Sequence, residues 1–455
     1  MSIFREYDIR GRVPSDLHPE LARQIGQAFA SEMRQRQPDL SAHVLIGRDN
    51  RPSSLPLATA FAEGVRATGL NSVDIGEVAT PVLYNAAFHW EGAVGVMVTG
   101  SHLPPDQNGL KLTQGWARPF FGADIQKLKG RLETSDYLTG QGAGYSNDQA
   151  STDYLADLAG RFGESPRRLK IVVDAGNGMG GLYAPTLLRT LGHQVIELYC
   201  TPDGTYPNHP ADPFEEENLH DLKARVLAEG ADLGLAFDGD ADRVGFVDGA
   251  GNAHATDRAL IPLIFDLLKR KPAATIIVDS LVSTVLIATI EGAGGQVVLC
   301  KSGHSNIKTK MAETQAAFGL ETSGHVFIAD DYYGYDDGIY TALRMVEILA
   351  RPNTAPLATI MAEIPHLHTT PQFRPACPED QKAPVIEALA RAFARYNVSR
   401  VDGVRVTLPE GWFICRPSNT EAKLSLRFEA QTPAALESIL TEVGGILADF
   451  GLKLR

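Results

Sequence analysis

The chain has 455 residues, 44% of them hydrophobic and 21% charged, with a formal net charge of -13. That length exceeds a single hydrophobic core and predicts about three domains. The acidic balance excludes nucleic acid and anionic membranes as principal partners, though a local basic pocket for a small anion remains compatible with it.

The elements alternate. Residues 19–36 place Leu21, Ile25, Phe29 and Met33 at helical spacing. Val44-Leu45-Ile46 is a short apolar strand closed by Gly47-Arg48-Asp49. A helix from Ser53, a strand at Val73–Ile75, a helix from Pro81 and a strand from Ala93 to Thr99 complete a βαβ pattern. Thr139–Asn147 reads as a linker. A second unit runs through strands at 169–174, 195–198 and 233–238, and a third through strands at 275–278 and 296–299. After about residue 370 the pattern changes. Helix 382–395, strands near 403–407, 412–415 and 423–429, and helix 432–449 predict a small α+β domain. The expected boundaries are 1–150, 151–253, 254–368 and 369–455.

No apolar run is long enough to span a bilayer, and the first ten residues carry no apolar signal core. Cys200, Cys300, Cys377 and Cys415 are scattered and form no metal-type pair, so free thiols in a reducing cytoplasm are expected.

Six stretches carry chemistry. Thr99-Gly-Ser101-His102-Leu-Pro-Pro ends a buried-looking strand in a glycine and then a hydroxyl. Gly100 is expected to turn the backbone with positive φ and to present a rigid, exposed Ser101 where open α/β sheets bind ligands; alone, an ordinary turn serine explains it as well. Asp238-Gly-Asp240-Ala-Asp242-Arg243 puts three carboxylates within five residues at a strand end. At about 4 Å and an effective dielectric of about 20, each pair repels by roughly 4 kcal/mol. A divalent cation on oxygen ligands, with Mg²⁺ the default, accounts for this better than an acidic turn. Arg416-Pro-Ser418-Asn419-Thr420 combines a guanidinium fork with hydroxyls and an amide, a set that suits phosphate or an ordinary polar turn. Glu321-Thr-Ser323-Gly-His325 suits sugar hydroxyls, though on this run alone a satisfied polar turn explains it slightly better, and Lys301-Ser-Gly-His304 is a similar strand-end cluster whose histidine stands or falls with its neighbours. Finally, Gly176-Asn-Gly178-Met-Gly-Gly181 matches a dinucleotide fingerprint, with Glu197 about 20 residues on. A dehydrogenase would leave Ser101 and the aspartates unexplained, so a plain strand-to-helix turn is preferred.

Taken in order, Thr99–Lys111, Asp238–Arg243, Glu321–His325 and Arg416–Thr420 resemble the α-D-phosphohexomutase superfamily, with further matches at Tyr7-Asp-Ile-Arg10-Gly and Gly47–Arg51. The resemblance covers essentially the whole chain. It implies an α/β fold of four domains around a central cleft, three related and the fourth a TATA-binding-protein-like α+β domain. It implies that Ser101 carries the transferred phosphoryl group and that Asp238, Asp240 and Asp242 hold Mg²⁺ with it. Arg10, His102, Lys111, Arg243 and His304 would act near the reacting group. Tyr7, Lys301, Glu321, Ser323 and His325 would bind the sugar, and Arg416, Ser418, Asn419 and Thr420 its other phosphate. A phosphoserine with three aspartates carries about -5, which calls for a dication.

The implied activity interconverts hexose 1-phosphate and 6-phosphate, of mannose or glucose, through a hexose 1,6-bisphosphate that also serves as activator. The protein would be a cytoplasmic monomer or weak homo-oligomer. A phosphoglucosamine mutase and a catalytically weak sugar-phosphate-binding protein are the alternatives. Two positions depart from the family pattern. Leu103 stands where Asn usually follows the Ser-His pair, and Leu281 stands where related bacterial enzymes carry lysine.

Overall fold

Short aliphatic runs closed by glycine or aspartate form the strands of this protein, and amphipathic stretches between them form the helices. The computed structural model describes residues 3–36, 43–90, 93–418 and 422–454. It divides into two units, Met1–Leu263 with Ser323–Ile360 and Ile264–Thr322 with Met361–Arg455.

The first unit opens with a seven-stranded sheet: β1 Ile9–Arg12, β2 His43–Arg48, β3 Asn71–Glu77, β4 Val94–Val98, β5 Gln107–Gln114, β6 Arg118–Pro119 and β7 Gly144–Ser146. Its order is β1-β5-β4-β2-β3-β7, with β6 beside β5. Strands β4, β2, β3 and β7 are parallel, while β5 runs antiparallel to β4 and β1 antiparallel to β5. Helices Pro19–Arg36 and Ser54–Arg66 bury Ile25, Phe29, Leu57 and Phe61 in a core with Val94, Val96 and Leu110. The stretch expected as a linker therefore contains β7, whose backbone pairs with β3 although its side chains are exposed.

A second sheet in the same unit comprises β8 Lys170–Asp174, β9 Gln194–Leu198, β10 Leu233–Phe237, β11 Val244–Asp248 and β12 Ala253–His254, ordered β12-β11-β10-β8-β9. Strand β11 returns antiparallel along β10 with Phe237 opposite Val244. Residues 238–243 are thus the connection of a hairpin, which holds all three aspartates of the acidic motif on one short turn.

In the second unit β13 Thr275–Asp279, β14 Gln296–Cys300 and β15 Phe318–Leu320 are parallel, with β13 in the middle. A five-stranded antiparallel sheet follows, in the order His368–Thr369, Leu424–Ala430, Gly411–Pro417, Val404–Leu408 and Asn397–Ser399. Helices Glu379–Ala392 and Pro433–Ala448 join a core of Val385, Leu389, Phe413, Phe428 and Val443, the α+β arrangement expected for this end of the chain. Among the described residues, no helix is long and apolar enough to cross a membrane.

Candidate active site

Ser101 lies just beyond β4, at the carboxyl end of the strand, but only 2% of it is exposed, against the expectation of an open hydroxyl. Its Oγ donates to Asp238 Oδ2 at 2.8 Å and lies 3.2 Å from His102 Nδ1. The aspartate hairpin covers it: a Cβ on Gly239 would sit 2.4 Å from the Ser101 carbonyl oxygen, so only glycine admits this approach. The expected positive φ at Gly100 is also misplaced. The left-handed residue is Ser101 itself, with φ 49°. Gly100 is required for space, because a Cβ there would lie 2.5 Å from the guanidinium carbon of Arg51.

Asp238, Asp240 and Asp242 are all buried and place carboxylate oxygens within 4.8 Å of one another. Lys111, on the buried strand β5, donates to Asp240 Oδ2 at 2.7 Å and Asp242 Oδ2 at 2.5 Å. Thr80 adds a hydrogen bond to Asp240 Oδ2 at 2.5 Å, and Arg243 Nε binds Asp238 Oδ2 at 2.9 Å. Burial alone would depress the Lys111 ammonium, but Asp240 and Asp242 outweigh it and hold its pKa above the usual lysine range. Asp240 is the reverse: burial is overcome by Lys111 and Thr80, and its carboxyl is held below the usual range. At Asp238 burial, reinforced by Asp242 and Asp240, wins over Arg243 and raises the carboxyl.

Three carboxylates against two cations leave about -1, and a phosphoryl group on Ser101 would bring the site to about -3. Among the described residues, Asp240 Oδ1 and Asp242 Oδ1 are buried without a hydrogen-bond partner. Two bare carboxylate oxygens beside a third carboxylate and a hydroxyl form a donor set that fits a hard divalent cation.

Arg10, His102, Arg243 and His325 gather here. Arg10 pairs with Asp8 at 2.5 Å, and its backbone lies opposite Gly109 of β5. His102 is pushed down to about 2, first by burial and then by Arg243, Arg10 and Lys111. It is therefore a neutral partner for the Ser101 hydroxyl. Arg243 Nη1 donates to the Ser323 carbonyl at 3.2 Å, while its Nη2 is buried with no hydrogen-bond partner among the described residues. His325 Nδ1 lies 3.2 Å from Asp336 Oδ2 and 3.7 Å from Asp242 Oδ1. Tyr7 sets its ring 6.4 Å from that of Phe121.

In the second unit the carboxyl ends of β13, β14 and β15 lie side by side, which brings the turns after them together. Glu321 follows β15 and accepts from the Gly303 amide at 2.7 Å. Lys301 precedes that glycine, and His304 begins the helix His304–Thr314 that follows it. Arg416, near the end of the strand Gly411–Pro417, pairs through Nε with Asp402 at 2.7 Å. The Ser418 amide donates to the Lys423 carbonyl at 3.0 Å. Asn419 and Thr420 lie outside the described residues.

Four models of the phosphoglucomutase/phosphomannomutase family match in order: α/β/α domain I over residues 1–138, domain II over 152–251, domain III over 256–367 and the C-terminal domain over 375–444. The chain belongs to the phosphoglucomutase/phosphomannomutase family, within the α-D-phosphohexomutase superfamily. It is similar to a phosphomannomutase/phosphoglucomutase of Pseudomonas aeruginosa, 44% identical over 97% of this chain and 94% of the relative. A phosphoglucomutase of Neisseria meningitidis is 38% identical over 98% of this chain and 96% of its own. Among solved structures, a phosphoglucomutase/phosphomannomutase family protein from Burkholderia thailandensis superposes with a TM-score of 0.91 at 38% identity, covering 98% and 96% of the two chains.

Within this phosphohexomutase scaffold, several residues at the site had no role assigned from sequence. Asp49 accepts from Thr99 Oγ1 at 2.8 Å and from the Gly100 amide at 3.1 Å. Arg51 grips the serine loop through its carbonyls. Both belong to the Gly47–Arg51 match, which marked them without giving a function. Thr80, Asp336 and Asp402 carry no local signal, because a lone threonine or aspartate at a helix start or turn is ordinary. The glycine-rich run has a steric explanation. A Cβ on Gly178 would lie 2.7 Å from the Gly239 carbonyl oxygen, and the Met179 amide donates to that oxygen at 2.9 Å. This run supports the aspartate hairpin, and Glu197 pairs with Arg189 at 2.6 Å.

Proposed function

We propose that this hexose-phosphate mutase works through a phosphoserine at Ser101, interconverting the 1- and 6-phosphates of mannose or glucose. The observation that carries the proposal is the buried Ser101 hydroxyl set on Asp238 at 2.8 Å, inside a carboxylate cluster with two bare oxygens. Ser101, Asp238, Asp240 and Asp242 would hold the metal, with Mg²⁺ the fitting ion for phosphoryl chemistry. When bound it supplies charge neutralisation at the transferring phosphoryl group.

The first transfer breaks the bond between phosphorus and Ser101 Oγ and forms one between phosphorus and a sugar hydroxyl oxygen, whose proton passes to the freed Ser101 oxygen by way of the site's groups, giving a hexose 1,6-bisphosphate. The bisphosphate reorients, and the second transfer breaks its other bond between sugar oxygen and phosphorus, forms the bond between phosphorus and Ser101 Oγ, and returns the serine proton to the sugar oxygen. Such a reaction needs positioning and charge stabilisation more than covalent chemistry. Arg243 offers a buried Nη2 to a phosphoryl oxygen. Lys111 fixes Asp240 and Asp242, and Arg10 adds positive charge. While Ser101 is without its phosphoryl group, its hydroxyl donates to Asp238 and neutral His102 donates from Nδ1 to Oγ. His325, oriented by Asp336, and Ser323 would contact the sugar. From the second unit, Glu321, Lys301 and His304 would contact the sugar hydroxyls, and Arg416 with Ser418 would hold the phosphate that is not reacting; Asn419 and Thr420 belong to the same run.

Four buried free thiols accord with a reducing cytoplasm. Conversion of mannose 1-phosphate and glucose 1-phosphate to the 6-phosphates, with Mg²⁺ and a bisphosphate activator, is the direct test. Intact-mass analysis of the purified protein should show a phosphate mapped to Ser101. Absence of turnover on every hexose phosphate tried would overturn the proposal, and turnover of glucosamine phosphate alone would reassign the substrate.

A further inference from the structure

Asp402 sits on the turn before the strand Val404–Leu408 and is only 8% exposed. Its Oδ2 accepts hydrogen bonds from Ser280 Oγ at 2.8 Å and the Ser302 amide at 3.2 Å, and it lies 2.7 Å from Arg416 Nε in an ion pair that is not aligned as a hydrogen bond. Ser280 follows β13, and Ser302 follows β14.

The contacts continue beyond these turns. Ser302 Oγ donates to Asp279 Oδ2 at 3.2 Å, and Thr322 Oγ1 donates to the same oxygen at 2.9 Å. Gly303, next to Ser302, donates to Glu321 at 2.7 Å. A connected polar path therefore runs, inside the second unit, from Arg416 through Asp402 to Glu321.

The turn on which Asp402 rests is itself held fast. Arg405 Nη1 donates to the carbonyls of Ser280 and Val282 at 2.7 and 2.8 Å, and its guanidinium carbon lies 3.8 Å from the centre of the Trp412 ring. Arg427 Nη1 donates to the Leu281 carbonyl at 3.0 Å. A carboxylate anchored on so rigid a turn does more than neutralise an arginine. The ion pair holds the charged head of Arg416 beside this turn, and a guanidinium already held in place binds phosphate with less ordering cost.

We infer that Asp402 is a positioning residue for phosphate binding, one that holds the Arg416 guanidinium by charge and ties it to the turns beside the sugar-reading Glu321. The inference rests on the proposed role of Arg416. The rival is a carboxylate that competes with the substrate's phosphate for the arginine, and the two differ in sign.

Steady-state kinetics on glucose 1-phosphate should be compared for the wild type, Asp402→Asn, Arg416→Ala and the double variant. A positioning role raises KM in Asp402→Asn by about tenfold with kcat within about threefold, and adds less than about twofold in the Arg416→Ala background. A lower or unchanged KM, or a full additive effect on top of Arg416→Ala, would overturn it. Thermal melting checks that Asp402→Asn folds; where it does not, Ser280→Ala, which removes one anchor of Asp402, should raise KM in the same sense, and an unchanged KM there overturns the inference. Should the wild type turn over no hexose phosphate, the functional reading fails on its own. Calorimetric titration with inorganic phosphate then decides the matter: binding weakened alike in Asp402→Asn and Arg416→Ala supports the positioning role, and binding unaltered in Asp402→Asn refutes it.

Discussion

Arg51 Nη2 donates to the carbonyl oxygen of Ser101 at 2.7 Å, so the proposed phosphate carrier is gripped by its backbone while its hydroxyl stays available to Asp238. The same guanidinium reaches the carbonyls of Leu103 and Pro104 at 2.7 Å and of Gln107 at 3.2 Å. It pairs with Asp49 and lies 4.9 Å from the centre of the Tyr206 ring. The loop is wound round one cation. This also explains why leucine is acceptable at position 103: the loop uses its carbonyl, and any residue supplies one.

Replacing Arg51 by alanine should therefore damage the loop more than any change at Leu103. Breaking a fully buried ion pair costs about 3–5 kcal/mol. Urea denaturation should show a loss of that order, with mutase activity reduced by at least about a hundredfold. Leu103→Asn should leave both within a factor of about three.

Ser101→Ala should fold normally, since the hydroxyl it loses supports Asp238 and little else in the core. Mutase activity should fall by at least about a thousandfold, or about 4 kcal/mol of barrier. Intact-mass analysis should show no bound phosphate. Near-normal rates in this variant would place the phosphate carrier elsewhere.

Mg²⁺ should stabilise the protein by linkage, by about 2.7 kcal/mol at a hundred times its dissociation constant. The thermal midpoint should rise with Mg²⁺ and fall back with chelator. In Asp240→Asn and Asp242→Asn the rise should largely vanish. Lys111→Met, which removes the cation shared by Asp240 and Asp242, should be destabilised in chelator and partly recovered by Mg²⁺.

Asp337 gives the clearest pH dependence. It caps the helix Gly338–Ala350 by accepting from the Tyr340 amide at 2.8 Å, and it also accepts from Tyr332 and Tyr154. Burial pushes its carboxyl up to about 6 against those hydrogen bonds. A raised carboxyl favours the protonated form in the fold, so its stabilising contribution is full below about pH 4 and is lost as pH rises through about 6. Asparagine keeps a capping oxygen without the charge. Asp337→Asn should gain relative to the wild type between pH 4.5 and 8, by no more than about 3 kcal/mol. Paired thermal melts across that range would show a constant difference if burial of the charge were unimportant.

The helix at 19–36 was legible because its apolar residues recur every four positions, and it is observed as Pro19–Arg36. Strand β5 was not, because it is buried on both faces although Lys111 and Thr113 are polar, so it lacks the continuous apolar run that marks a fully buried strand. Strand β7 escaped for the opposite reason: it pairs with β3 through its backbone, and its side chains stay exposed. At the site, the residue types of the serine loop and the aspartate hairpin announced their chemistry. What they did not announce was burial, which depends on two hairpins meeting across 137 positions of sequence. Asp402 was silent for the same reason, since its partners Ser280 and Ser302 precede it by 122 and 100 positions.

The left-handed backbone at Ser101 sets local stability against chemistry. An L-residue with a Cβ costs roughly 1–2 kcal/mol in that conformation, and glycine costs far less. Selection for thermal robustness alone would drift toward Ser101→Gly, a sturdier protein with no phosphate carrier. Hydroxyl and backbone therefore pull in opposite directions at this one position, and a library screened only for folding would enrich the inactive sequence.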